Sequence, residues 1–288
     1  MKDIPEISFN KDKEQSISGF ELIELKGLFQ TSEQPIDHNP YRPHRLNFFA
    51  NLIITDGEVN HIVDFEVHHL QAGDVMVISK GQIHAFDEFS QYYGYLVLFT
   101  EEFMHKYIAQ STIAEIKHLY NYFLKHQKIN DLENSQIFIS TLKKESKNHS
   151  PLLPNLFGAL LSIYLLKLND KNMNTTHFID IKSLDYFNQF RLLIEKNFSK
   201  TRDAKVYASD LSVTYRYLNQ VCKEVSKNTA KSFIDSYVVL ESKRLLVTTS
   251  LSVKEISFVL GFEEPTNFTK FFKKHTKETP FQFRNRGD

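Results

Sequence analysis

The sequence predicts an α+β chain in two parts: an N-terminal β-barrel with trailing helices, then an all-α domain carrying two helix-turn-helix motifs. Three observations carry that prediction. Short β-rich runs separated by turn residues fill the first hundred positions, apolar residues at three- and four-residue steps take over after Thr100, and one helix-turn-helix pattern occurs twice between residues 204 and 286. A length of 288 residues is enough for two ordinary cores. The expected boundaries are 1–168 for the first domain, 169–180 for a linker and 181–288 for the second.

In the first part, Gly19–Gln30, Phe48–Thr55, Val59–Val67, Val75–Ser79 and Tyr92–Phe99 read as strands. Asp56–Gly57, Ala72–Gly73–Asp74 and Lys80–Gly81 supply turn signals at the close spacing of an all-β barrel or sandwich. Helical stepping follows in Glu101–Gln110, Thr112–Leu124 and Ser135–Lys147. Pro154–Leu168 opens with a proline suited to a first helical turn. It carries two apolar strips, Leu153, Phe157, Leu160 and Tyr164 beside Leu161, Leu165 and Leu168, so it must be buried against more than one neighbour. An internal core helix and a dimer seam both fit; the dimer seam suits the domain that follows. Asn169–Thr176 is polar and aperiodic, the composition of a linker.

In the second part, Phe187, Phe190, Ile194 and Phe198 stripe an opening helix. Then Val206–Val213 leads into Thr214–Val221, and Val253–Phe262 leads into Thr266–Lys274. Ala208 and Ser257 are small where two helices cross, and four positions later Ser212 and Gly261 let the chain double back. The helix that follows leaves polar side chains outward at its start, the geometry for lying in a DNA major groove. One such pattern also occurs in purely structural roles. Two of them, joined by the helical stretch Ser232–Val247, are a strong signal.

The formal charge of zero hides a division. From Ser183 onward there are 18 Lys and Arg against 12 Asp and Glu, a net of +6, leaving a net of −6 before it. A basic half attracts phosphates and an acidic half stays off them. The single cysteine, Cys222, excludes an internal disulfide framework, suits a reducing cytoplasm and reads as a core thiol. No secretory leader is visible, and the longest apolar run, Leu156–Leu166, is too short for a bilayer span. The expected location is cytoplasmic, with no membrane partner.

The C-terminal stretch resembles the DNA-binding domain of the AraC/XylS family of bacterial transcription regulators. Leu251–Phe262, Asn267–Lys274 and the closing Thr279–Arg284 are similar to the family's signature, and the likeness covers about the last hundred residues. Ser257 stands where Ala is usual, Ser226 and Lys277–Glu278 where Gly is frequent, and Cys222 where an aromatic is usual. The β-rich half is similar to the family's cupin-type sensor domain, whose landmarks fall at Pro43–His44, Gly57, Gly73–Asp74 and Gly81–His84.

Several expectations follow from the resemblance. Arg216, Asn219 and Gln220 would read base edges beside Thr214 and Tyr215, since Arg pairs with guanine and Asn or Gln with adenine. The second helix would use Thr266, Asn267, Thr269 and Lys270, with Pro265 at its entry. Lys223, Lys273 and Lys274 are placed for phosphates. The chain would be a sequence-specific regulator, an activator by family habit, binding double-stranded promoter DNA as a homodimer and meeting RNA polymerase if it activates.

A small-molecule effector would sit among His44, Phe48, His84, Phe86 and Tyr95. A barrel that no longer binds a ligand and serves only as a dimer platform is the other reading of this half. A cupin metal site needs a His-x-His pair, a carboxylate and a later His. Leu46 stands in place of the second His and Asn51 in place of the carboxylate, so neither metal nor cofactor is expected. His68 and His69 are strand neighbours and cannot both point inward. The competing readings are a metal-dependent cupin enzyme with an appended DNA-binding domain, and a ligand-independent architectural protein.

Overall fold

The computed structural model describes residues 6–7, 9, 17–26, 39–87, 92–116, 119, 128–148, 150–175 and 181–285. The chain divides into two compact units, Pro5–His177 and Phe178–Asp288.

The first unit is built on strands β1 (Glu6–Ile7), β2 (Phe20–Glu24), β3 (His44–Leu46), β4 (Phe49–Val63), β5 (Glu66–Gln71), β6 (Asp74–Ile78), β7 (Ile83–Ala85), β8 (Tyr92–Phe99) and β9 (Lys128–Asn130). Apart from the parallel β1–β3 pair, the pairings are antiparallel. β4 carries the architecture. Its first half pairs with β6 and β8, its second half mainly with β5 and β7, so one 15-residue strand links the two groups of partners in a single nine-stranded sheet among the described residues.

Asp56–Gly57, predicted as a turn, is instead a register irregularity at which β4 continues past β8. A bulge of this kind bends a strand and changes which residues face inward. Before it Ala50, Leu52 and Ile54 line the barrel interior; after it Val59 and Val63 do. β8 must come close at this bend, and a Cβ on Gly94 would lie 2.0 Å from the Ile53 carbonyl oxygen. The hairpin turn falls at Asp64–Phe65, both left-handed (φ 47° and 72°). Asp is a common first residue of such a turn, but Phe is not a usual second. The turn is held from outside: the Asp64 carboxylate accepts from Gln82 Nε2 (2.8 Å) and Ile83 N (3.2 Å), while Asp64 N–H donates to the Ile83 carbonyl (2.8 Å). The turns at Ala72–Gly73 and Lys80–Gly81 occur where the sequence signals them.

Helices α1 (Glu101–Tyr107), α2 (Gln110–Ile116), α3 (Leu132–Glu145) and α4 (Leu153–Thr175) cover one outer face of the barrel. Phe103, Phe138, Leu142, Phe157, Leu161 and Leu165 join Ile53, Val97 and Phe99 from the strands in one buried cluster. The stretch predicted as helical to Leu124 is described as helix to Ile116, and most of 117–127 lies outside the described residues.

Asn169–Thr176, predicted as linker, is helical through Thr175. Tertiary contacts account for this. Lys171 Nζ reaches the fully buried Asp131 carboxylate at 2.7 Å, and one turn earlier Lys167 Nζ reaches Asn134 Oδ1 at 2.7 Å, so Lys171 ties the start of this segment to the N-cap of α3. The strips on α4 face the core, with Phe157, Leu161, Tyr164, Leu165 and Leu168 all buried. A third stripe, Leu152, Leu156, Ala159, Ile163 and Leu166, faces outward.

The second unit comprises α5 (Ile181–Asn197), α6 (Ala204–Asp210), α7 (Tyr215–Ser226), α8 (Ala230–Thr248), α9 (Val253–Val259), α10 (Pro265–Thr276) and α11 (Pro280–Arg284). The α5 stripe is buried at Phe187, Phe190 and Ile194, and Phe187 meets Phe233 of α8 edge-on at 4.8 Å. α8 is the hub, with Phe233, Ile234, Tyr237, Val238, Ser242, Arg244 and Leu246 buried around its circumference. Among the described residues, no helix is long and apolar enough to cross a membrane.

Candidate nucleic-acid interface and barrel interior

The two helix-turn-helix motifs repeat at the level of single hydrogen bonds. In the first, Leu211 N–H donates to Tyr207 O, Ser212 N–H to Ser209 O and Val213 N–H to Ala208 O; Leu260, Gly261 and Phe262 donate to Ile256, Phe258 and Ser257 in the second. The turn residues Ser212 and Gly261 are left-handed (φ 55° and 77°). Both recognition helices end on a left-handed lysine, Lys227 (φ 60°) and Lys277 (φ 71°). Ala208 and Ser257 are buried at the crossings, and Ser257 satisfies its extra hydroxyl by donating to the Lys254 carbonyl (2.6 Å).

On α7, Leu218, Val221, Cys222 and Val225 are buried. Burial pushes the Cys222 thiol up to about 12, so it is a core thiol. Tyr215, Arg216, Gln220 and Lys223 are exposed on the opposite face. Thr214 is the N-cap, its hydroxyl accepting from Tyr217 N–H at 3.1 Å. Asn219 is placed differently from expectation. It is half-buried and its Oδ1 accepts from Ala230 N–H at 2.9 Å. That acceptor caps the start of α8, whereas a bidentate pair with adenine needs Oδ1 and Nδ2 together. A polar residue on a helix flank looks alike in sequence whether it serves a base or a neighbouring helix.

On α10, Phe268 and Phe272 are fully buried, and Thr266, Asn267, Lys270, Lys273 and Lys274 are exposed. Pro265 is half-buried in the first turn. Thr269 is also half-buried and returns its hydroxyl proton to the Pro265 carbonyl (3.1 Å). Glu263 and Glu264 are exposed at the entry to this helix, so its N-terminus is more acidic than that of α7.

The barrel interior brings together three histidines from three strands. His44 and His84 face each other in the β3–β7 register, with ring centroids 4.1 Å apart. His61 Nε2 lies 3.2 Å from His84 Nδ1, and its ring is 4.9 Å from that of Phe86. His44 Nδ1 donates to the Arg42 carbonyl (3.0 Å). His61 is fully buried, and its Nδ1 has no hydrogen-bond partner among the described residues. Desolvation, then the neighbouring His44 and His68, push its pKa down to about 3. Phe48 and Phe86 line the same interior as predicted neighbours of this group.

His61 was missed because the bulge in β4 reverses the inward phase between Ile54 and Val59, which one sequence does not disclose. Tyr95 is a correction. Leu96 and Leu98 face the interior, so Tyr95 faces the helices, where its hydroxyl accepts from Lys143 Nζ at 2.7 Å. Asn51 shares the phase of Phe49 and Ile53, which pack with the helical layer, so it points away from the histidines.

Two outward polar helices on one helical unit, in a chain that also holds a sheet-rich barrel-like unit, define a two-domain DNA-binding transcription regulator. The description "AraC-like ligand binding domain" matches residues 30–142, and "Helix-turn-helix domain" matches residues 207–286. The HTH-type transcriptional activator RhaR of Mannheimia succiniciproducens is 25% identical, over 90% of this chain and 94% of that protein. The lactose operon transcription activator of Staphylococcus xylosus is 22% identical, over 81% of this chain and 82% of that protein. A solved structure of ToxT from Vibrio cholerae matches 92% of this chain and 98% of that one, at 14% identity and a TM-score of 0.48. The chain belongs to the AraC/XylS family of transcription regulators.

Proposed function

We propose that this regulator reads a bipartite, asymmetric DNA half-site through α7 and α10 and activates transcription in response to a small molecule held in its barrel. The observation that carries the reading is the repeated motif geometry on one hub. α8, with 19 residues, is about 28 Å long at 1.5 Å per residue. Motifs packed on its two halves are spaced for successive major grooves, about 34 Å apart along the duplex. Arg216 and Gln220 on α7, with Thr266, Asn267 and Lys270 on α10, are the base readers in this scheme; Asn219 positions α8. Tyr215 flanks the first set, and Lys223, Lys273 and Lys274 neutralise phosphates. Two relatives that are activators by name support the direction of control, and RNA polymerase is the partner activation requires.

Binding to selected duplexes tests these roles. Arg216→Ala should cost about 1–3 kcal/mol on the preferred site and relax selection at one base pair. Lys273→Ala should weaken all duplexes alike and lower the salt slope by about 1. The opposite pattern would exchange the two assignments.

The effector site comprises His44, His61 and His84 as polar groups, with Phe48 and Phe86 as apolar walls. A ligand with one hydrogen-bonding head and an apolar body matches that lining. Its binding controls transcription only if the DNA-competent arrangement holds the ligand more tightly than the other does.

A homodimer is supported by the outward stripe on α4. Leu152, Leu156, Ala159, Ile163 and Leu166 step by four, three, four and three, the heptad spacing of a two-helix seam. Leu152 and Ile163 are 64% and 56% exposed, so apolar surface faces outward along the full stripe. A second copy of the same helix offers the matching pattern. Ile163→Asp should shift sedimentation from dimer to monomer while leaving affinity for one half-site unchanged; a variant that stays dimeric would rule this seam out.

A further inference from the structure

The second motif is docked directly on the loop that leads into the first. Arg202, one residue before the N-cap of α6, stacks its guanidinium over the Phe262 ring at 3.6 Å and donates from Nη2 to the Gly261 carbonyl at 3.0 Å. Phe271 of α10 lies 6.0 Å from the same guanidinium. Gly261 and Phe262 form the turn of the second motif, and the Ser199 carbonyl presses against Gly261 so closely that a Cβ there would lie 1.8 Å from it. A cation on an aromatic face with a fork of donors fixes both the distance and the angle of such a contact, which a flexible ammonium does not.

From these contacts we infer that Arg202 is a positioning residue that sets the spacing and rotation between the two recognition helices, and so selects the number of base pairs between the two DNA boxes. The inference rests on the bipartite reading above. α8 holds the far sides of both motifs, but among the described contacts the Ser199–Arg202 loop is where the first motif's entry touches the second motif's turn. A groove of about 710 Å³ opens beside it, bordered by Lys200, Lys231 and Asn267. Loss of the guanidinium would therefore leave the turn without its stacking and hydrogen-bond partner on the side that faces this groove. Each base pair added between the boxes moves the second box by about 3.4 Å and about 35°. A seam that holds the motifs to within such a step is what converts two box preferences into one spacing preference.

The test uses the full-length protein and duplexes selected by it, with one base pair inserted or deleted between the boxes. The wild type should lose affinity by about tenfold or more on either change, of the order of one mismatched base pair. Arg202→Ala should shrink that penalty to about threefold while keeping the base preferences within each box, and Arg202→Lys should fall between. Phe262→Leu, which keeps an apolar residue beneath the seam, should flatten the spacing profile in the same way. Circular dichroism identifies any variant that fails to fold, and the folded ones decide. A full wild-type spacing penalty in folded Arg202→Ala or Phe262→Leu overturns the inference. A wild type with one box only, indifferent to spacing, overturns the bipartite reading itself.

Discussion

Gly261→Ala should destabilise the C-terminal unit by about 3 kcal/mol, as the summed cost of a strained left-handed residue and an overpacked contact. The left-handed backbone is the smaller part. Ser212 adopts the same conformation (φ 55°) at the equivalent turn and is exposed, so a side chain is tolerated where there is room. At Gly261 the nearest atoms to a new Cβ are the Ser199 carbonyl oxygen, carbon and Cα at 1.8, 2.6 and 2.9 Å. All three are backbone, so no rotamer change relieves them. The loop before α6 must move, and the Arg202 contact must loosen with it. Urea unfolding should show the loss, and hydrogen exchange should place it in α9 and α10. Ser212→Gly, the control, should change stability by less than about 1 kcal/mol. A Gly261→Ala loss no larger than the control's would mean that the close approach at Ser199 is not present in solution.

Acid should weaken the N-terminal barrel before it weakens the DNA-binding unit. His61 has a folded pKa of about 3 against 6.5 for an unperturbed histidine. The unfolded chain therefore binds the extra proton first as pH falls. The stability associated with keeping His61 neutral is fully present above pH 6.5 and is lost progressively down to about pH 3. At about 1.4 kcal/mol per pH unit, His61 alone removes about 2 kcal/mol by pH 5. His44 and His84 lie against it, so a charge placed there has no anion to meet among the ring partners. Urea midpoints at pH 7.5 and pH 5 read the effect directly. His61→Gln keeps a hydrogen-bonding group opposite His84 and cannot titrate, so its midpoint should be nearly level across that range. A wild-type midpoint equally level would show that the cluster is hydrated or already charged.

The DNA-binding half was largely legible because its determinants are local. Ala208 and Ser257, Ser212 and Gly261, and the apolar faces through Leu218 and Phe268 each act over a few residues, and a helix keeps them at fixed angles. The cap that Asn219 provides was not legible because its partner, the Ala230 N–H, lies on the next helix, beyond the turn. In the barrel, strands could be found but their phase could not. The irregularity after Ile54 turned Val59, His61 and Val63 inward, and the parity of β8 turned Tyr95 out to Lys143.

By itself the sequence determined the order of the two domains, the tandem motifs with their outward polar faces, and the polarity of each half. Tertiary structure alone decided that residues 169–175 are helix, that three histidines converge, and that Arg202 joins the two motifs. The physical reason is range. Helical periodicity and turn chemistry are written in neighbouring residues, whereas an ion pair such as Lys171–Asp131, a bulge's phase shift and the packing of Ser199 on Gly261 exist only once distant segments meet.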